Sequence, residues 1–215
     1  MLSKISVLHF LKDLEKNNNR EWFTAHKNRY TSAREDCASF VEELIKEMSG
    51  FDTAIGNVDA QKSLFRIYRD TRFSANKDPY KTNFGASIGS GHAGYYLHIQ
   101  PGQSFLAGGI YMLDNTQLKE LRKEISYNAD AFKKIILGKN FRDHFGSLSE
   151  DDKLKRVPLG FDKDDPMAEY LKLKHFVATR PVTDKELLEN DAPKKFAAIY
   201  KCLKPLNDFL NAPFL

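Results

Sequence analysis

Gly94-Tyr95-Tyr96-Leu97-His98-Ile99-Gln100-Pro101-Gly102-Gln103-Ser104-Phe105-Leu106-Ala107-Gly108-Gly109-Ile110-Tyr111-Met112 is the stretch that decides the fold class. Tyr95, Leu97 and Ile99 alternate with Tyr96, His98 and Gln100, a period of two that sends each set to one face of a strand. Ser104 to Met112 reads as a second strand, with Pro101-Gly102 turning the chain between the two. Pro-Gly suits a type II turn, whose twist fits a two-residue hairpin poorly, so a longer connection is expected. Gly108-Gly109 marks a bulge or a close approach of backbones.

Working outward, Phe84, Ala86 and Ile88 alternate in a strand just upstream. Before them, Phe65, Ile67 and Arg69 are expected on one face of a further strand, with Leu64, Arg66 and Tyr68 on the other. His175 to Thr179 supplies a fifth candidate. Four short strands in succession, with no helix between them, imply antiparallel pairing.

The flanks carry the helical period. Leu8, Leu11 and Leu14 form a stripe in residues 6–16, and Asn19 is placed to cap a long helix running from Trp22 to Met48, with Gly50 as its stop. Asp114 and Gln117 make a capping box ahead of Leu118, Leu121 and Ile125, and Thr183 and Glu186 make another. Phe132, Ile135 and Ile136 mark a helix stopped by Gly138, and Met167 to Leu173 a turn or two. A last helix from about Pro193 carries Phe196, Ile199, Tyr200, Leu203, Leu206 and Leu210. Residues 139–165 read as irregular. The expected fold is α+β: an antiparallel sheet of about four to five strands with helices packed mainly on one face. One domain is expected over 1–215, with an N-terminal helical part (about 1–50), a central sheet (about 62–112) and a mainly helical remainder (about 114–215).

A chain of 215 residues can bury about 70% of its unfolded surface and needs no disulfide or metal to fold. Its 41% hydrophobic and 29% charged residues are ordinary for a globular protein and exclude disorder. Cys37 and Cys202 each sit among apolar neighbours in helical patterns, as buried thiols do in a reducing compartment. Met1 to Phe10 is too short and broken for a secretory apolar region, and no run of eighteen apolar residues occurs, so a cytoplasmic location and no membrane partner are expected.

Three apparent motifs fail on their context. Gly89-Ser90-Gly91-His92-Ala93-Gly94 matches G-x-G-x-x-G, but strand rather than helix follows, and the pyrophosphate of a dinucleotide needs a helix N-terminus. Tyr68-Arg69-Asp70 with Asn76 misses the kinase catalytic-loop spacing by one residue. Asp162-Lys163-Asp164 lacks the glycine and glutamate of a calcium loop, since Met167 and Leu173 stand there. None of the six histidines has metal-ligand spacing, so no metal site is assigned.

What stands out is Leu64-Phe65-Arg66-Ile67-Tyr68-Arg69-Asp70-Thr71-Arg72-Phe73-Ser74-Ala75-Asn76-Lys77-Asp78-Pro79-Tyr80-Lys81-Thr82-Asn83. Net charge is +4 overall, and this window holds Arg66, Arg69, Arg72, Lys77 and Lys81 against only Asp70 and Asp78, so the basicity is local. Guanidinium forks suit phosphate or carboxylate, and Tyr68, Phe73 and Tyr80 could stack a planar group. The candidate ligand-binding residues are therefore Arg66, Arg69, Arg72, Lys77, Tyr80 and Lys81, with Asp70 a weak catalytic candidate if burial raises its pKa. Arg69, Asp70 and Arg72 also fit an internal ion-pair clamp that pins the loop to the helix of Glu21, Glu35 and Asp36. His26 beside Trp22, and His98 beside Tyr96, read as packed amphipathic side chains unless the basic segment docks against them.

Asn19-Arg20-Glu21-Trp22-Phe23, the block from Phe65 to Ser74 with Lys77, Pro79-Tyr80-Lys81 and Asn83, and Gly94 to Ile99 running into Ala107-Gly108-Gly109 together resemble a bacterial and fungal family, domain of unknown function 2461. The resemblance covers nearly the whole chain and implies one compact domain of this length. It carries over no activity, cofactor or catalytic residue. Near Gly160-Phe161-Asp162 and Asp165-Pro166 the family pattern implies a histidine before the proline, where this chain has Asp165.

The functional expectation is a small anionic, phosphate- or carboxylate-bearing ligand held by the basic segment. The competing expectations are a non-catalytic structural or interaction module, and weak nucleic-acid association through the same loop. Whether the chain is an enzyme, which cofactor it uses and how it oligomerises are left open by its residues.

Overall fold

The computed structural model describes residues 4–89 and 91–215. Helix α1 is Lys4–Lys16, α2 is Arg20–Ala25 and α3 is Lys27–Met48. Asn19 caps α2 as expected, its side chain accepting from the Trp22 N–H at 2.8 Å. The apolar stripe expected to run unbroken from Trp22 to Met48 is interrupted at His26, which ends α2 and begins α3. The His26 ring itself bonds the Trp22 carbonyl at 2.8 Å and stacks on the Trp22 indole, so a side chain fills the broken turn.

A short helix α4, Ala60–Ser63, precedes strands β1 (Phe84–Ile88), β2 (Gly94–Ile99) and β3 (Ser104–Ile110). Helices α5 (Asn115–Tyr127), α6 (Ala129–Ile136), α7 (Lys139–Phe145) and α8 (Ala168–Leu171) follow, then β4 (Phe176–Val182). The chain closes with α9 (Asp184–Leu188), α10 (Ala192–Lys201) and α11 (Lys204–Asn211). The fold is α+β, with one four-stranded antiparallel sheet in the order β1-β2-β3-β4. No described helix is long and apolar enough to cross a membrane.

Several expectations meet corrections. Leu64–Arg69 is not a ladder strand: it makes only two isolated bridges, Leu64 to Ala86 and Tyr68 to Tyr80. Its buried side chains are Leu64 and Ile67, while Phe65, Arg66 and Tyr68 are exposed, so its apolar spacing is three rather than two. The irregular stretch 139–165 contains α7, whose Phe141 and Phe145 are both buried. The last helix is two, α10 and α11, parted at Cys202-Leu203 with a proline in the first turn of the second. Both capping boxes form as expected.

The chain gathers into two compact units. The first takes the sequence up to Ile88, Tyr96–Leu106 and Pro181–Ala198. In it α1 packs on α3, and α3 on β1, around Phe10, Leu11, Leu14, Val41, Leu44 and Met48, all essentially dry. Leu97 and Ile99 are buried while Tyr96 and His98, alternating with them, are half-buried, which is the alternation expected of β2. The β2–β3 connection is Gln100–Gln103, closed by the Gln103 N–H on the Gln100 carbonyl at 2.9 Å, with φ of 72° at Gly102, as a type II turn requires.

The second unit takes Gly89–Tyr95, Ala107–Arg180 and Ile199–Leu215. Leu118, Leu121 and Ile125 of α5 are buried in its core together with Phe132, Met167, Leu171, Leu206 and Leu210, where α5 packs on α6 and α8, and α6 on α11. Gly109, at φ 114°, has no room for a β-carbon, because the Phe176 carbonyl occupies that place; the close approach expected of Gly108-Gly109 is real.

Candidate anion-binding site

The basic segment lies in the first unit and is shaped by backbone pairing. The Arg69 N–H meets the Pro79 carbonyl at 2.9 Å, and the Lys81 N–H meets the Ile67 carbonyl at 2.7 Å. These bonds close residues 70–78 into a loop. Upstream, the Phe65 N–H meets the Gly85 carbonyl at 2.9 Å, which lays Phe65 and Arg66 against the start of β1.

Within the loop three of the five cations are already engaged. Arg72 forks onto Asp70, Nε to Oδ1 at 3.0 Å and Nη2 to Oδ2 at 2.7 Å. Arg69 donates to the Asp78 carbonyl at 3.1 Å and to the Ser74 hydroxyl at 3.3 Å. Lys77 donates to the Thr71 carbonyl at 3.0 Å. The Arg72 guanidinium holds the Asp70 carboxyl below its ordinary value, the opposite of what a general base needs, and Asp70 is exposed.

Tyr80 is in the interior rather than at a ligand surface. Its ring stacks on Phe23, centres 4.0 Å apart and planes 16° apart, and Tyr68 lies 5.4 Å away. The carboxamide of Asn18 holds its backbone.

Arg66 and Lys81 differ from the other three. Among the described residues, neither has a carboxylate within ion-pair distance. They sit near enough to each other that burial, and then the like charge of Arg66, lower the pKa of Lys81. The Lys81 ammonium stands 5.5 Å from the centre of the Phe65 ring, a cation–π contact.

Phe65 in turn docks on Tyr96 of β2, ring centres 5.9 Å apart in a stacked arrangement. That docks the basic segment against the face of Tyr96 and His98, the condition under which these side chains are expected to be more than packing. The Tyr96 hydroxyl meets His98 Nδ1 at 3.1 Å, Asn83 Nδ2 lies 3.4 Å from the same nitrogen, and His98 Nε2 meets Gln100 Oε1 at 2.9 Å. A carboxamide oxygen only accepts, so Nε2 carries the hydrogen and Nδ1 is the lone pair that takes the tyrosine proton. Burial lowers the pKa of His98, which the Gln100 bond opposes, and burial raises that of Tyr96. His98 also stacks on Phe105, centres 4.5 Å and planes 12° apart. A β-carbon at position 85 would collide with the Tyr96 hydroxyl, so glycine there is what lets the phenol lie across β1.

The site that emerges is therefore Arg66 and Lys81 beside Phe65, Tyr96 and His98, with Asn83 and Gln100 bonding the imidazole. Charge counting found the two cations. The aromatic row was visible only as strand alternation, because its docking on Phe65 is a tertiary contact. A surface groove of about 510 Å³ lies elsewhere in this unit, along α3 and residues 56–61. Its Lys46 stands among Glu42 and Asp59, which leaves no positive excess for an anion. Among the described residues no group of three or more His, Cys, Asp or Glu could hold a metal ion.

A family model described as conserved hypothetical protein (DUF2461) matches residues 6–209. Comparison with curated proteins and with solved structures gives no match.

Proposed function

The chain belongs to the DUF2461 family, whose description names no reaction, and from its own geometry we propose that it binds a small phosphate- or carboxylate-bearing ligand at Arg66 and Lys81. The observation that carries this reading is the pair of neighbouring like charges, neither with a carboxylate within ion-pair distance among the described residues and one of them with the Phe65 ring beside its ammonium; Asp70, whose pKa Arg66 helps to lower, is already forked by Arg72. An anion between them relieves the repulsion and the burial cost together. The half-buried Tyr96–His98–Gln100 row forms the wall beside them, and with Nε2–H and the phenol hydrogen both committed internally, it offers a neutral surface. Cytoplasmic location fits Cys37, a thiol buried in the core of the first unit.

The test is a titration of the lysine side chains by NMR. Inorganic phosphate is expected to raise the Lys81 pKa, and the Arg66→Gln, Lys81→Gln double variant to lose phosphate binding while its melting temperature holds. A Lys81 resonance indifferent to high millimolar phosphate would overturn the proposal.

A second reading has its own support. Arg72 on Asp70, with Arg69 and Lys77 on loop oxygens, makes residues 70–78 a self-braced loop, which suits a structural or interaction module. Nucleic-acid association is separated from both by salt, since counterion release makes phosphate-backbone binding fall steeply with ionic strength.

A further inference from the structure

We infer that the ligand carries a planar ring beside its anion, and that the ring stacks on Phe65; this rests on the anion-binding reading above. The argument starts from an anomaly in burial. Leu64 and Ile67, either side of Phe65, are buried, whereas Phe65 keeps 48% of its surface exposed. The core has taken its neighbours and left the largest side chain of the three at the edge.

That edge is not a random surface. Tyr96 stacks against Phe65, and Phe105 stacks on His98 one step further along the same half-buried face, so the exposed ring is the outer member of an aromatic row. The two cations without carboxylates lie at the same end, and the Lys81 ammonium is over the Phe65 ring. In the free protein the π face is occupied by a cation that an anion would attract. A molecule with charge and ring together satisfies both: its anion draws Lys81 and Arg66, and its ring takes the face the ammonium leaves. An anion alone leaves Phe65 wet, and a ring alone leaves the two charges opposed.

Aromatic phosphates and carboxylates, nucleoside monophosphates among them, have this chemistry. Among the described residues only Arg66 and Lys81 of the segment's five cations lack an internal acceptor, so the charge cluster suits a small anion rather than a polyanion.

The experiment compares phenyl phosphate, cyclohexyl phosphate, inorganic phosphate and AMP on the full chain by calorimetry and by NMR of the Lys81 side chain. Phenyl phosphate is expected to bind at least about tenfold tighter than inorganic phosphate, which corresponds to ~1.4 kcal/mol, and tighter than its non-planar cyclohexyl analogue. Phe65→Leu should remove that advantage, so that phenyl phosphate and inorganic phosphate bind the variant alike, whereas Phe73→Leu, at the exposed loop tip, should keep it. Should Phe65→Leu not fold, saturation transfer from the wild-type protein to the phenyl protons gives the same information. If all the phosphates bind with equal affinity, the ring inference fails and the anion reading stands. Cyclohexyl phosphate matching phenyl phosphate, or Phe65→Leu keeping the advantage, also overturns it. If none perturbs Lys81, both fail. Tight binding of a single-stranded oligonucleotide without binding of phenyl phosphate replaces it with a nucleic-acid surface.

Discussion

The carboxamide of Asn18 makes both hydrogen bonds to the backbone of Tyr80, donating to its carbonyl at 3.0 Å and accepting from its N–H at 3.1 Å. A side chain from the turn after α1 thus mimics a strand partner and fastens the far end of the basic segment. The same device recurs in the second unit, where Asn211 accepts from the Ala93 N–H at 2.8 Å and donates to its carbonyl at 3.1 Å. Replacing Asn18 by Ala leaves both Tyr80 groups without a partner in a half-buried place. The expected loss is about 1–3 kcal/mol, read as a lower urea midpoint, with faster hydrogen exchange at the Tyr80 amide.

Arg72→Ala distinguishes a clamp from an ornament. Although the Arg72–Asp70 fork is well formed, its side chains are 76% and 46% exposed, and solvent screens such pairs heavily. The melting temperature is expected not to move. A collapse on this substitution would show that the fork holds the loop to the rest of the unit.

His98 sets a pH dependence of known sign. Its folded pKa lies below the ordinary value of 6.5, so between the two values the unfolded chain binds more protons. Stability is therefore full above about pH 6.5 and declines as pH falls through that window toward the folded value. Melting curves recorded downward from pH 7 should show this decline, and His98→Gln should flatten it.

Burial pushes the Cys37 thiol up to about 12. With no thiolate at neutral pH and no access, it should resist iodoacetamide in the native protein and react only on unfolding. Labelling at Cys37 at the rate of a free thiol would mean that α3 opens locally.

Gly85→Ala should disturb the site without breaking the sheet. The new methyl group displaces the Tyr96 hydroxyl and with it the bond to His98. A cost of about 1–3 kcal/mol is expected from such crowding, together with a changed His98 titration by NMR.

How much of this could be read beforehand differs by residue. Alternation over Tyr95–Ile99 and the turn at Pro101-Gly102 were plain, because a strand half buried on one face must alternate and a Pro-Gly pair has few conformations. Leu64–Arg69 misled, since its composition, Leu-Phe-Arg-Ile-Tyr-Arg, repeats in threes rather than twos, and only Leu64 and Ile67 reach the core. The break at His26 was hidden because the apolar stripe continues through it. The split between α10 and α11 at Pro205, and α7 with Phe141 and Phe145 four apart amid polar neighbours, are both missed by a reading that follows the apolar stripe alone, although each carries a local signal. In the basic segment, counting charges identified the cations but could not see that Arg69 and Lys77 are satisfied by carbonyl and hydroxyl oxygens. Nothing in the local sequence announces that Phe65 will lie on Tyr96.

The Ser104 hydroxyl accepts from the Gln100 N–H at 3.0 Å and donates to the Gln100 carbonyl at 2.9 Å, fixing the residue whose side-chain oxygen meets His98. A hairpin corner therefore governs imidazole tautomerism. Removing that hydroxyl would loosen the corner and weaken the Gln100 contact that keeps the ring hydrogen on Nε2.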